Sequence, residues 1–580
     1  MDNLSIAKQF SEIADMLEIL DENRFRVAAY RRAVETIESL PHNVATMPKD
    51  ALLEIPGIGE GIAHAILEIA QHGTCTEFAV LKKKVPQRLL EILAIEGMGP
   101  KTTALVWKKF GVESLLHLER LLTTGKLEKV PGFGVKKVEN IKRGIAQRKQ
   151  SGGRQPLGRV LPIAEEIAES LRSSGLCDKV EIAGSLRRMK ELIGDIDILA
   201  TSKKPKAVME GFTTLPNVER TIAQGETKAT VMLTSGLECD LRVVAPEEFG
   251  AALYYFTGSK EHNVRTRTMA VKQGLTVNEY GVFRGSSKRQ AVSSKDRIAG
   301  KTEEEVLKAI GLPWIPPEIR EDRGEIAAAL AGKLPHLITE KDIQGNLHTH
   351  SEWSDGMATI EDVVREAKRR GYEYIAMTDH ASSIGIVRGT KEKTVDAYIA
   401  RVRAAGKKVG GIHVLAGVEV DIEEDGSTFL SDRSLQKFDF VIGAVHSYFK
   451  QDRTTATKRF LRAITNPNID CIGHLTTRHV GGREPMDLDI DAILKAAARV
   501  KTIIELNAHW VRLDINDVQC RLAKEYGVPI AISTDAHTLA EFDVIRYGIA
   551  TARRGWLEKK DVVNMKTWKE LREFFRNSKS

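Results

Sequence analysis

Seven short apolar runs in the last 240 residues of this chain each stop at a polar, mostly metal-binding side chain. Ile343–Leu347 ends in His348-Thr349-His350, with Asp355 a few residues on, and Tyr374–Thr378 ends in Asp379-His380. Val414–Val418 leads to Glu419, Phe438–Val445 to His446, and Ile469–Gly473 to His474. Thr502–Leu506 stops at Asn507, and Val528–Thr534 at Asp535-Ala536-His537. Strands that deliver side chains from one shared end form a parallel barrel, whose functional face lies at the C-terminal ends of its strands. Histidines satisfied one at a time in a core would not fall at successive strand ends. The expected fold of this half is a seven-stranded (β/α) barrel, with helical stretches such as Ile360–Arg370, Val395–Val409 and Ile490–Ala498 between the strands.

Nine side chains converge on that face: His348, His350, Asp355, His380, Glu419, His446, His474, Asp535 and His537. They suffice for two or three divalent ions, and ligation rich in imidazole suits Mn²⁺, Zn²⁺ or Fe²⁺ better than Mg²⁺. Glu419, a carboxylate with two oxygens among imidazoles, is the expected bridge. His413 begins its strand and belongs at the opposite end of the barrel. His479 and His509 lie just past strand ends, where they are expected to meet phosphates and not metals.

The chain is too long for a single core: it has 580 residues, and cores stop growing near ~250–300. No stretch approaches the ~20 apolar residues of a membrane span. Met1-Asp2-Asn3-Leu4-Ser5 has no secretory character. The five cysteines are far apart and never form a CxxC pair, which points to a reducing compartment, the cytoplasm, and away from a thiolate zinc site. A formal charge of +7 permits contact with nucleic acid.

Residues 1–155 read as helices, such as Ile6–Leu20 and Val27–Leu40, broken by a turn that recurs three times. It appears as Ile55-Pro56-Gly57-Ile58-Gly59, Ile95-Glu96-Gly97-Met98-Gly99 and Val130-Pro131-Gly132-Phe133-Gly134, each followed by a helical run. Backbone N–H groups at a helix start bind a phosphate oxygen, and glycine lets the phosphate backbone come close. Lys101 follows the second turn, and Lys136, Lys137, Lys142 and Arg143 follow the third. Gly57, Gly59, Gly97, Gly99, Lys101, Gly132 and Gly134 are therefore the expected DNA contacts, positioning a duplex without reading its sequence.

Residues 156–245 alternate helix with strand signals at Lys179–Ala183, Ile196–Ala200, Ala229–Thr234 and Leu237–Val244. Asp195 and Asp197 lie on one face of a strand, because side chains repeat every two residues. Carboxylates that close repel each other unless a cation lies between them. Asp240 sits in the apolar stretch Leu237–Val244, where an unpaired carboxylate would be costly. The three suit two Mg²⁺ ions shared with a triphosphate. Gly184-Ser185-Leu186-Arg187-Arg188 precedes them, and Ser185 and Arg188 are placed to hold the distal phosphates.

This arrangement resembles the nucleotidyltransferase palm, and most closely that of family X DNA polymerases. Tyr255-Phe256-Thr257-Gly258-Ser259 is similar to that family's nucleotide-pocket tract, in which an aromatic pair packs on the sugar and disfavours a 2′-hydroxyl. The turns of residues 1–155 resemble helix-hairpin-helix motifs. The His-x-His, Ser-Asp-Gly, Thr-Asp-His and Asp-Ala-His signatures resemble the polymerase and histidinol phosphatase (PHP) domain. The fusion resembles bacterial family X polymerases with a C-terminal PHP domain. That resemblance implies a DNA polymerase filling short gaps in repair, with Asp195, Asp197 and Asp240 as catalytic metal ligands. It implies a nucleotide site drawing on Gly184, Ser185, Arg188, Gly194, Tyr255, Phe256, Gly258, Lys260, Asn263 and Arg267. It also implies Mn²⁺-dependent 3′–5′ exonuclease activity in the barrel, with apurinic-site cleavage and 3′-end cleaning beside it. Expected partners are gapped or primer-template DNA and dNTPs, with no membrane and with the chain acting as a monomer.

The implied division is 1–80, a helical DNA-binding domain with the first hairpin; 81–155, a subdomain with two more; 156–245, the palm; 246–318, a nucleotide-selection subdomain; 319–342, a linker; and 343–580, the PHP domain. In the animal repair polymerase beta, a member of that family, the first hairpin helix carries a lysine that removes 5′-deoxyribose phosphate; that position is Ala65 here, and alanine forms no imine. Met189 stands where that relative has glycine, Ile193 where it has serine, and Lys260 where it has an acidic residue. The rival reading is a small-molecule phosphoesterase barrel tethered to a DNA-binding front half.

Overall fold

The computed structural model describes the chain except residues 1–2, 40–43, 56, 87, 94, 96–97, 131–132, 135–136, 143–144, 146–152, 286–295, 383–388 and 579–580. It forms two compact units, the first built from Met1–Gly152 with Thr538–Ala540 and the second from Gly153–His537 with Glu541–Ser580. The first is helical, with Asn3–Ile19, Arg24–Ser39, Glu60–His72, Thr76–Lys84, Pro100–Phe110 and Leu115–Thr123 around a core that includes Phe10, Tyr30, Ile66 and Val106. The second helix starts nearly a turn before its apolar periodicity shows, because Arg24-Phe25-Arg26 faces solvent and carries no pattern. Leu40, expected as its last residue, lies outside the described residues. Among the described residues no helix is long and apolar enough to cross a membrane.

In the second unit a five-stranded sheet runs in the order Lys179–Ile182, Asp195–Thr201, Glu238–Val244, Lys228–Leu233, Val218–Gln224. Only Asp195–Thr201 and Glu238–Val244 pair in parallel. The outermost strand was not expected: at the sheet edge it is exposed almost throughout, so no apolar alternation marks it. A second, three-stranded sheet (Leu275–Asn278, Gly281–Arg284, Arg297–Ala299) packs with Phe249–Thr257, Lys260–Lys272 and Glu303–Ala309. The stretch 319–342, read as a linker, has structure of its own. It contains the helix Glu325–Leu330, and Arg320 and Glu325 are fully buried. Arg320 pairs with Glu303 at 2.6 Å, and Glu325 with His262 at 2.7 Å.

The barrel has seven parallel strands in chain order: Gly345–Asn346, Tyr374–Met377, His413–Asp421, Phe440–Ala444, Cys471–Ile472, Ile503–Asn507 and Ile530–Ser533. Glu419 is not past the end of its strand but within it. The ladder continues because His380–Ala381 pairs with the second half of His413–Asp421 after Tyr374–Met377 has paired with the first. The first and last strands are joined by a bridge between Thr349 and Ala536, with His350 N–H donating to Ala536 O at 2.9 Å. At the same seam the buried Asn564 side chain donates to Gly345 O and Ile532 O and accepts from Ile532 N–H. Trp568, Phe574 and Phe575 of the helix Trp568–Ser578 pack under the barrel core.

Candidate active sites

All nine residues named for the barrel meet at one face. Glu419 is the centre: its carboxylate lies 2.8 Å from His380 Nδ1, 2.9 Å from His474 Nε2, 3.3 Å from His446 Nε2, 3.4 Å from His348 Nε2 and 3.5 Å from His350 Nε2. Asp535 approaches His350 at 3.1 Å, and Asp355 approaches His380 and His537 at 3.5 Å each. The ligand atoms fall into three groups: His350, Asp355, His380 and His537; His348, His350 and Asp535; and His380, Glu419 and His446. Members of each lie within 4.8 Å of one another, and His474 joins through Glu419.

The chemistry of these atoms fits divalent ions. His348 Nε2, His350 Nδ1, His380 Nδ1 and Glu419 Oε2 are buried with no hydrogen-bond partner, a costly state in an apolar interior. His380 Nδ1 and Glu419 Oε2 come to 2.8 Å without hydrogen-bond alignment, as atoms do when they share an ion and not a proton. Burial pushes the Glu419 carboxyl up, but His380, His446 and His348 hold it well below the usual range. Burial and then the neighbouring His537 and His380 push His350 down to about 3, keeping it neutral and ready to ligate.

Glu505, Asp421 and Arg512, which the sequence analysis did not single out, and Asn507, named there only as a strand end, orient these ligands. Glu505, fully buried, lies 2.7 Å from His348 Nδ1 and accepts from His474 N–H at 2.7 Å. Asp421 lies 2.8 Å from His446 Nδ1. Asn507 donates to Asp535 Oδ2 at 3.0 Å, and Arg512 Nε lies 3.3 Å from the same oxygen. Such partners fix ring orientation and raise ligand basicity. The signal that marks Asp240, a lone carboxylate in an apolar strand, is equally present at Glu505. His413 stacks on Trp568 with ring centroids 4.4 Å apart, under the barrel. His479 Nε2 meets Arg483 at 3.1 Å, and His509 lies 3.7 Å from Glu541.

In the five-stranded sheet Asp195 stands opposite Glu238, and Asp197 opposite Asp240. Burial, then Asp195 and Asp240, push Asp197 up to about 7, the mark of carboxylates gathered where a cation belongs. Asp240 is met by Lys228 at 2.9 Å and by the Thr230 hydroxyl. Gly184 has φ +65°, and a Cβ there would come 2.2 Å from Asp197 Oδ2. Glycine is thus required both by the backbone and by the carboxylate beside it.

Ser185 is half-buried in the short helix Gly184–Arg187, and Arg188 follows, donating to Thr257 O and lying 3.1 Å from Glu321 Oε1. A Cβ on Gly258 would lie 3.2 Å from Arg188 Nη1. Tyr255 and Phe256 pack edge to face at 5.2 Å, with the Arg242 guanidinium 4.5 Å from the Phe256 centroid. Asn263 donates to Tyr255 O at 2.7 Å, and Arg267 Nε donates to Asn263 O at 3.2 Å. Lys260 is exposed at the first turn of its helix. Gly194 faces the Arg154 side chain.

In the first unit Gly59 and Gly99 are the N-cap residues of Glu60–His72 and Pro100–Phe110, and residues 137–142 are helical after Gly134. A Cβ on Gly59, Gly99 or Gly134 would meet nothing within 4 Å, so packing inside the protein does not demand glycine there. Gly57 has φ +94°. Lys101 is exposed. Gly97, Gly132, Lys136 and Arg143 lie outside the described residues. Ala65 is buried in the helix Glu60–His72.

Four family models match: a helix-hairpin-helix domain at 1–75, a SAM-like helix-hairpin-helix tandem at 89–147, a DNA polymerase beta thumb at 252–321 and a PHP domain at 346–509. The chain belongs to the family X DNA polymerases that carry a PHP domain. It is 33% identical over 580 residues to the DNA polymerase/3′-5′ exonuclease PolX of Bacillus subtilis (strain 168), covering 100% of both chains. It is 25% identical over 341 residues to DNA polymerase lambda of Rattus norvegicus, 55% of this chain and 56% of that one. A probable phosphatase of Caldicellulosiruptor saccharolyticus is 32% identical over 200 residues, 32% of this chain and 78% of its own. Relatives of this phosphatase kind align with the PHP part alone.

Proposed function

We propose that this chain fills short gaps in DNA from dNTPs during repair and removes nucleotides from 3′ ends at its barrel. The observation that carries the reading is the register of Asp197 against Asp240 beside Gly184, in the same chain as nine converging histidines and carboxylates that could hold metal ions. On this reading Asp195, Asp197 and Asp240 hold Mg²⁺, and Asp240 helps draw the proton from the primer 3′-hydroxyl. Ser185, Arg188 and Lys260 grip the triphosphate, and Gly184 and Gly194 let it approach. Tyr255, Phe256 and Gly258 shape the sugar pocket, and Asn263 and Arg267 approach the nucleotide and the template strand. The hairpin glycines with Lys101 hold the duplex backbone, and the open space at Gly59, Gly99 and Gly134 supports that role.

The barrel residues hold two or three Mn²⁺ or Zn²⁺ ions; bound ions supply a nucleophilic water and charge stabilisation for phosphodiester cleavage. Glu419 and the neutral His350 would help hold the ions, and Arg512 stands beside Asp535 at the cavity that these side chains line. Apurinic-site cleavage and 3′-end cleaning are further uses of the same site. With Ala65 in the hairpin helix, that position supplies no amine for removing 5′-deoxyribose phosphate through an imine, and borohydride should trap no covalent complex there. The full-length relative favours this reading over a tethered small-molecule phosphoesterase. Two single variants test it on a gapped and a 3′-overhang substrate. Asp195→Ala should lose primer extension by about 10³-fold and keep 3′–5′ degradation, and His350→Ala should do the reverse. Undiminished extension by Asp195→Ala refutes the palm assignment.

A further inference from the structure

The loop Arg188–Glu191 lies between the helix that starts at Gly184 and the strand Leu192–Ile193, and the barrel holds it at both ends. Arg554, from the barrel helix Ile545–Arg554, donates from Nη1 to the Arg188 backbone carbonyl at 2.7 Å and to Glu321 Oε1 at 2.9 Å. That same Glu321 oxygen takes Arg188 Nε, so a barrel residue reaches both the backbone and the side-chain anchor of Arg188. At the other end Arg478 Nη2 pairs with Glu191 at 2.7 Å while its Nε donates to the carbonyl of Arg512 at 3.1 Å.

The next residue after Arg188 explains why such ties matter. Met189 has φ +52°, a conformation that L side chains avoid, so the loop does not hold this shape by its own preferences. Arg554 and Arg478 are almost entirely buried, and a buried guanidinium is tolerated only where its partners are fixed. Glu321 is pushed up by burial, yet Arg554, Arg188 and Lys190 keep it below its ordinary value and hence charged. With Nε and Nη1 engaged, the Arg188 Nη2 donors have no partner among the described residues.

We propose that the barrel domain completes the polymerase nucleotide site, with Arg554 and Arg478 as positioning residues that set the Arg188 loop for the triphosphate. The proposal rests on the phosphate role given to Arg188 above. It means that the nuclease domain contributes to synthesis by geometry, apart from its metals.

Single-nucleotide incorporation on gapped DNA tests it in the full chain, with Arg188→Ala as the benchmark. Arg554→Ala should raise the dNTP KM about tenfold with kcat changed less than about threefold. Glu191→Gln, a milder cut on the palm side, should raise it about threefold. Exonuclease turnover should stay at the wild-type value in both, while Tm should fall in Arg554→Ala, where Glu321 and Asp517 lose a buried partner, and hold in Glu191→Gln. Adding Arg554→Ala to Arg188→Ala should raise KM no further, because the two act through one group. Arg554→Lys, which keeps the charge, should recover part of the loss. A wild-type KM in both Arg554→Ala and Glu191→Gln, with KM raised in Arg188→Ala, overturns the proposal. So does a joint fall of kcat, exonuclease turnover and Tm at unchanged KM. A wild-type KM in Arg188→Ala overturns the phosphate role itself.

Discussion

Asp197 and Asp240 face each other across two adjacent parallel strands, and the ammonium of Lys228 lies 2.9 Å from the second of them. Lys228 thus holds a carboxylate oxygen that a metal ion at this strand pair would need. Its side chain is 43% exposed, so the pair is worth no more than ~1 kcal/mol. Lys228→Ala should therefore lower the Mg²⁺ concentration that half-saturates primer extension by about twofold to fivefold. A higher requirement would show that Lys228 assists the metal in place of competing with it.

Nuclease activity should be separable from synthesis. The double variant His350→Ala/Asp535→Ala should lose 3′–5′ degradation in metal-controlled buffer and retain primer extension. His413→Ala should change neither rate, since that ring stacks on Trp568 under the barrel. Degradation at the wild-type rate by the double variant would mean that the barrel is not the nuclease.

Glu505 touches two ligands and no reacting group. Glu505→Gln keeps the shape but weakens the hold on His348 Nδ1, so metal affinity should fall by about 10- to 100-fold. Calorimetric titration of the stripped protein with Mn²⁺ measures this directly; an unchanged affinity would reduce Glu505 to a packing residue.

Acid should loosen the contact of Glu303 with Arg187, which ties the short helix Gly184–Arg187 to the residues of the thumb match. Burial pushes Glu303 up, but hydrogen bonds and charge from Arg187 and Arg320 bring it from 4.5 down to about 2. Its folded value is depressed, so its contribution is complete above pH 4.5 and fades as pH falls towards 2. That drop corresponds to ~3 kcal/mol. The stability gap between wild type and Glu303→Gln in urea should be of that order at pH 6 and narrow below pH 4.5. A gap constant from pH 6 to pH 3 contradicts the assignment.

The barrel was legible because its strands are continuous apolar runs and because chemistry stands at their ends, a one-dimensional signal. Asp195 and Asp197 were legible from strand periodicity for the same reason. Asp421 was missed because orienting a ligand leaves no mark in spacing, and Glu505 because a carboxylate in an apolar strand does not tell which side chain it serves; their partners are 25 and 157 residues away. Arg554 and Arg478 were beyond reach for a stronger reason. They look like helix-end and loop arginines, and they meet Arg188 and Glu191 across 366 and 287 residues. The edge strand Val218–Gln224 hid because exposure removes the alternation that reveals a strand.

Asn564 comes after every strand of the barrel, yet it supplies hydrogen bonds that join the first strand to the last. A chain growing from its N-terminus therefore has its helical hairpins and its five-stranded sheet available for folding long before the seam can be sealed. Of the nine ligands, His348, His350, Asp535 and His537 flank the two strands that this seam joins, so the set is complete only at the close of synthesis.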